Sequence, residues 1–130
     1  MDRLVLDTNI IVSALLTPGG KPARVLDQVL SGNAVLCHDA EIITEYQEVM
    51  CRKEFAFNPG DIHILIIRLI KKGVSITAAP AAVPFTDESD RKFFETAKSC
   101  GAFLVTGNIK HFPVESWIMT PAEYLESLYR

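Results

Sequence analysis

Three carboxylates in this chain stand where a soluble protein rarely puts them. Asp7 follows the apolar run Leu4-Val5-Leu6 and opens the string Asp7-Thr8-Asn9 ahead of a second apolar run, Ile10-Ile11-Val12. A short run of leucine and β-branched residues reads as a buried strand. The polar triplet is then its exit and the start of a helix. Ligands of open α/β sheets bind outside the carboxyl ends of the strands, so Asp7 is either a helix cap or a site residue. Glu45 lies three residues after Ile42 and four before Val49, bordering a helical stripe of Ile42, Ile43, Tyr46, Val49 and Met50, whereas Glu41 and Glu48 point toward solvent. Asp90 precedes Phe93, Phe94 and Ala97 by three, four and seven residues, near the centre of another apolar stripe. A core-side carboxylate is costly unless it is paired, capped or bound to a metal. Each acid has a structural alternative. Asp90 favours the positive end of its helix dipole, and Glu45 serves equally as an edge residue with its head in water. Three acids converging from three elements would instead form an all-oxygen ligand set suited to Mg²⁺ or Mn²⁺. Such ions lower the pKa of a bound water and neutralise phosphodiester charge, which points to metal-assisted phosphodiester hydrolysis.

The elements that must position these acids alternate between strand and helix. The pattern predicts strands at 3–7, 34–37, 74–77, 103–106 and 117–119. It predicts helices at 9–16, 22–31, 39–52, 58–73 and 89–100, with a last short one after the capping box Thr120-Pro121-Ala122-Glu123. Gly73 and Gly101 stop two of them, and the segment 78–86, with Pro80 and Pro84, reads as a loop. Strands separated by helices imply a mostly parallel sheet of four to five strands. The helix at 58–73 carries Ile62, Leu65, Ile66 and Leu69 on one stripe, with Ile64 and Ile67 on the other side. A helix apolar all round is covered on both sides. Ile64 and Ile67 therefore either meet a second copy in a homodimer, or another partner, or pack beneath the 54–58 segment.

Bulk composition removes several classes. At 130 residues the chain reads as one domain, 1–130, with a substantial core. A formal net charge of −3 argues against a basic clamp on nucleic acid, although an acid cluster filled by cations leaves a nucleic-acid enzyme open. Apolar stretches such as 62–70 are too short to span a bilayer, and Asp7 and Asn9 interrupt any apolar leader region. Cys37, Cys51 and Cys100 are widely spaced, and read as reduced residues of a cytoplasmic protein. Cys37, His38, His63 and His111 fit no structural zinc spacing.

Four segments in order resemble the PIN-domain ribonucleases: Val5-Leu6-Asp7-Thr8-Asn9-Ile10, Glu41-Ile42-Ile43-Thr44-Glu45-Tyr46, Asp87-Glu88-Ser89-Asp90-Arg91-Lys92-Phe93, and Leu104-Val105-Thr106-Gly107-Asn108. The resemblance is greatest to the PIN-family toxins of prokaryotic toxin–antitoxin pairs and runs over roughly residues 3–119. It implies a three-layer α/β/α fold with a central, mostly parallel sheet. It also implies an acidic pocket holding Mg²⁺ or Mn²⁺, a single-stranded RNA substrate and an antitoxin partner. Asp7, Glu45 and Asp90 match the family's core acids as catalytic residues and metal ligands. Thr8 and Asn9 match the polar pair after the first acid, with Asn9 expected to orient Asp7 or a metal-bound water. Thr106 matches the Ser/Thr ending the fourth strand. The chain departs from the family at Asn108, where a fourth acid is common, and Asp87 is either its partial substitute or a helix N-cap.

Two rival readings stay open beside the nuclease. One is a weakly active or inactive PIN-like module that binds RNA or protein. The other is a phosphotransferase with Asp7 as nucleophile, against which stands Asn9 where such enzymes carry a second Asp. Arg91, Lys92, Lys110 and His111 are either RNA-backbone contacts or solvated residues.

Overall fold

A computed structural model describes residues 1–129. Its centre is a strand whose last three residues are buried on both faces. β1 (Asp2–Leu6) carries Leu4, Val5 and Leu6, all fully buried, with β2 (Ala34–His38) and β4 (Phe103–Val105) flanking it and the helix Arg91–Cys100 packed against it. Burying each such leucine contributes about 1.5–3 kcal/mol. β3 (Val74–Ser75) and β5 (Ile118–Met119) complete a five-stranded sheet of order β3-β2-β1-β4-β5, parallel throughout. This is the expected three-layer α/β architecture.

The connections are α1 (Thr8–Leu16), α2 (Lys21–Leu30), α3 (Ala40–Met50), α4 (Pro59–Lys72), α5 (Arg91–Cys100) and α6 (Pro121–Ser127). α5 packs on β1, β2 and β4; α2 and α4 pack on β2. The expected caps form. The Asp39 carboxylate accepts from the Ile42 N–H at 2.8 Å, and the Asn58 side chain accepts from the N–H groups of Gly60 and Asp61. Both halves of the Thr120–Glu123 capping box are present. Gly101 closes α5 at φ 65°, a left-handed position that suits glycine. Gly73 serves a different need, since a Cβ there would lie 2.5 Å from the Leu36 carbonyl oxygen.

Three sequence expectations shift. The helix expected from residue 89 begins as a 3₁₀ turn, Glu88–Asp90, because Asp87 draws the Ser89 N–H into a tight cap. The strand expected at 74–77 keeps only two ladder residues, although the Ile76 N–H still donates to the His38 carbonyl at 2.7 Å. Ile62, Ile66 and Leu69 enter the core as the stripe on α4 requires, but Ile64 and Ile67 are 59% and 37% exposed. The 54–58 segment therefore leaves them uncovered. Its Phe55 and Phe57 stack on each other at 5.6 Å instead.

The irregular segment 78–86 is pinned. Arg91 donates to the carbonyls of Ala81 and Val83 at 2.6 and 2.7 Å. Glu95 accepts from the Ala81 N–H at 2.7 Å, and Ser99 from the Ala79 N–H at 2.8 Å. Spaced by four, these residues share one face of α5, so the strap fixes how the chain enters the turn that carries Asp90.

Candidate active site

The site forms where β1 and β4 end. Asp7 is the first residue past β1 and the N-cap of α1. Its N–H donates to the Val105 carbonyl at 3.0 Å, which ties it to the neighbouring strand. Only 6% exposed, its carboxylate accepts at Oδ2 from the Thr106 hydroxyl at 2.8 Å. Thr106 is fully buried, and its Oγ1 accepts in turn from the Asn108 N–H at 3.0 Å. One threonine thus fixes both the first acid and the loop after β4. Beneath them the buried Tyr46 hydroxyl donates to the Leu6 carbonyl at 2.5 Å, locking α3 to the last residue of β1.

Glu45, one residue before Tyr46 on α3, reaches the same edge. Its Oε2 accepts a short hydrogen bond from the buried Thr8 hydroxyl, and its Oε1 lies 2.7 Å from the Lys92 ammonium. Asp90 closes the third side at the start of α5. Its Oδ2 is buried without a hydrogen-bond partner among the described residues, and the exposed His111 ring lies near it, with Nδ1 at 3.8 Å.

The electrostatics follow from this packing. Burial foremost pushes the Asp7 carboxyl above the usual carboxylate range, and the facing Glu45 adds to the rise. The Thr106 hydroxyl pulls the other way, helped by the N–H groups of Asn9 and Thr8. Asp90 is raised likewise, by burial first and then by the charges of Asp7 and Asp87. The Tyr46 phenol is raised well above its ordinary value by burial and then by Asp7, Glu45 and Asp39, so it stays a neutral donor. Three acids from separate elements therefore share one electrostatic environment.

The structure brings Asp7, Thr8, Glu45, Asp90 and Thr106 together, and separates others. The Asn9 side chain is exposed, and Asn9 addresses Asp7 through its backbone. Asp87 is a cap: its carboxylate accepts from the Ser89 N–H and hydroxyl at 2.9 and 2.7 Å, which hold it below its ordinary pKa. Asn108 meets the site through its backbone N–H. Arg91 and Lys92 turn inward to the strap and to Glu45. Tyr46 and the Lys92–Glu45 pair were not evident from motif spacing. A tyrosine on a fully apolar face was the available signal for the first, because a buried phenol needs a hydrogen-bond partner.

Among the described residues, no three Asp, Glu, His or Cys side chains stand close enough as arranged to hold a metal ion. The donor chemistry nevertheless fits a hard divalent ion at Asp7 and Asp90. These are two carboxylates raised first by burial, Asp7 further by Glu45 and Asp90 further by Asp7 and Asp87, and one of them has an orphaned oxygen. Glu45 stands apart because both of its oxygens are engaged.

The family model described as PIN domain matches residues 3–110, a span that contains every residue of this site. An uncharacterized protein of Methanocaldococcus jannaschii is 26% identical over 139 residues, covering 95% of this chain and 90% of its own length. Among the described residues, no helix is long and apolar enough to cross a membrane.

Proposed function

Because the chain belongs to the PIN domain family, whose members are typically nucleases, we propose that it is a divalent-metal-dependent endoribonuclease that cuts single-stranded RNA. The observation that carries this reading is the pairing of a buried Asp7 with an Asp90 whose Oδ2 has no hydrogen-bond partner. Asp7 and Asp90 would hold Mg²⁺ or Mn²⁺, and that ion would supply an activated water and offset the charge of the scissile phosphodiester. Thr106 holds the Asp7 carboxylate through Oδ2. Glu45, anchored by Thr8 and Lys92, walls the pocket on its α3 side. Burial keeps the carboxylates in a low-dielectric surrounding, where their hold on a cation is stronger than in water.

The resemblance of the four segments to PIN-family toxins supports a role as the toxin of a toxin–antitoxin pair, with an antitoxin covering the acidic pocket. The exposed α4 face of Ile64, Ile67 and Ile70 is the homodimer contact in this reading. A monomeric mass by light scattering removes that contact.

The test is RNA cleavage with Mn²⁺ by the wild type and Asp7→Asn, paired with growth on expression of each. The wild type cleaves RNA and arrests growth; the variant folds and does neither. Wild-type cleavage by Asp7→Asn sinks the assignment. A second reading, a weakly active module that binds RNA or protein, is favoured by the uncharged Asn108 and by Lys92 neutralising Glu45. Failure of the wild type to bind Mn²⁺ selects it.

A further inference from the structure

Lys92 is spent on the site in an unusual way. It sits in the first turn of α5, only 12% of its side chain is exposed, and its ammonium contacts three groups. Nζ lies 2.7 Å from Glu45 Oε1, donates a short hydrogen bond to the Ser89 carbonyl, and rests 4.9 Å from the centroid of the Phe93 ring. A half-buried ammonium with an ion pair, a carbonyl and an aromatic face is held by protein groups on three sides. The Thr8 hydroxyl takes the other oxygen of Glu45. The Glu45 carboxylate is therefore compensated and coordinatively filled from within the chain.

The charge balance of the pocket then becomes specific. Among the described residues, Asp7 and Asp90 have no lysine or arginine within ion-pair distance; Lys92 acts on Asp90 only as a more distant charge, and the exposed His111 ring lies 3.8 Å from it. Two carboxylates without a lysine or arginine ion pair match one divalent ion. On the β4 side, the residue that meets the site is the uncharged Asn108, through its N–H, so no further acid there calls for a second ion.

We infer that Lys92 is a built-in cation that holds Glu45 away from metal and limits the site to a single divalent ion, bound by Asp7 and Asp90. The inference rests on the reading of these carboxylates as a divalent-ion site. Lys92 acts through Glu45 and is a positioning residue. Its work is done by a fixed ammonium whose entropy was lost on folding, so Glu45 stays oriented whether or not an ion is present.

The experiment is a Mn²⁺ titration followed by the loss of the free-ion electron paramagnetic resonance signal, with no RNA present. It compares wild type, Asp7→Asn, Lys92→Met, Lys92→Arg and Glu45→Gln/Lys92→Met. Methionine keeps the apolar stem over Phe93 and removes the charge. The wild type takes up one equivalent that Asp7→Asn loses. Lys92→Met takes up two equivalents, or binds its first about tenfold tighter, a change of the size that residues around a metal site produce. Lys92→Arg and the double variant return to one equivalent at wild-type affinity. The double variant leaves no unpaired charge, so it folds even where Lys92→Met does not, and two equivalents in it overturn the inference. Two equivalents in the wild type, or an unchanged titration of folded Lys92→Met, also overturn it while the nuclease reading stands. Absence of any Asp7-dependent equivalent in the wild type overturns both.

Discussion

Asp7 and Glu45 carry the same charge at the same sheet edge, yet one is held by the core and the other by a long side chain. Asp7 is fixed by its own backbone hydrogen bond to β4 and by a buried threonine. Glu45 is fixed by Thr8 and by the ammonium of Lys92, which comes from another helix. The floor of the site is continuous with the parallel sheet, whose strands are tied to one another and to α3 through Tyr46. The rim, formed by the first turns of α5, is tied through side chains and through the strap that Arg91, Glu95 and Ser99 pin. Geometry at the floor is therefore set by the fold, and charge at the rim by pairs that can be exchanged without refolding the sheet.

That difference can be broken first at Thr106. Thr106→Val keeps the volume and removes both hydrogen bonds, freeing the Asp7 carboxylate to rotate and leaving the Asn108 N–H without its acceptor. Partners that orient metal-binding carboxylates are worth about 10–100-fold in activity or affinity, and a loss of that size in RNA cleavage is expected, with Thr106→Ser near wild type. Unchanged cleavage by the valine variant would mean that the floor does not position Asp7. The next effect is on stability. Tyr46→Phe leaves the Leu6 carbonyl short of its donor in a fully buried place, which costs about 1–3 kcal/mol in urea unfolding. A variant as stable as wild type would show that the lock between α3 and β1 is not needed.

The floor was more legible in the sequence than the rim, for a physical reason. Leu4-Val5-Leu6 buried on both faces is a run that only an interior parallel strand explains, and an acid directly after such a run has a narrow choice of places. The caps at Asp39, Asn58 and Thr120 were legible because capping is local, within three residues of the helix start. The rim depends on contacts between elements far apart in the chain. Nothing in the spacing of residues 45 and 92 says that Lys92 folds back over Phe93 to meet Glu45, and a lysine at a helix start reads as a solvated residue. His111 is the exposed loop residue its sequence suggests, but its 3.8 Å approach to Asp90 joins elements that spacing does not relate. Glu45 was legible as an edge residue, but whether its head met water, metal or a lysine was decided by α5. The exposure of Ile64 and Ile67 was a choice between two tertiary outcomes that helical periodicity leaves equal.

The smallest effect sharpens the comparison most, because it differs in sign between floor and rim. Asp7 and Asp90 are raised in the folded protein, above all by burial. A carboxyl with a raised folded pKa binds its proton more tightly when folded than when unfolded. Its contribution to stability is then fully present below the unfolded value and is lost as pH rises through the folded one. In a chelator, ionising either buried acid carries a cost that asparagine does not incur. Asp7→Asn should therefore raise Tm by a few degrees at pH 7, and this gain should shrink toward zero as the pH falls through the carboxylate range. Glu45→Gln should lower Tm at pH 7, because it strands a Lys92 that is only 12% exposed. Adding Mn²⁺ should then reverse the order for the floor. The wild type gains stability by binding, as RT ln(1 + [L]/Kd), while Asp7→Asn gains none and falls behind it. Differential scanning calorimetry at two pH values, with and without the ion, reads all of these signs. If Asp7→Asn and Glu45→Gln shift Tm in the same direction in the chelator, the floor and the rim are not held by different forces.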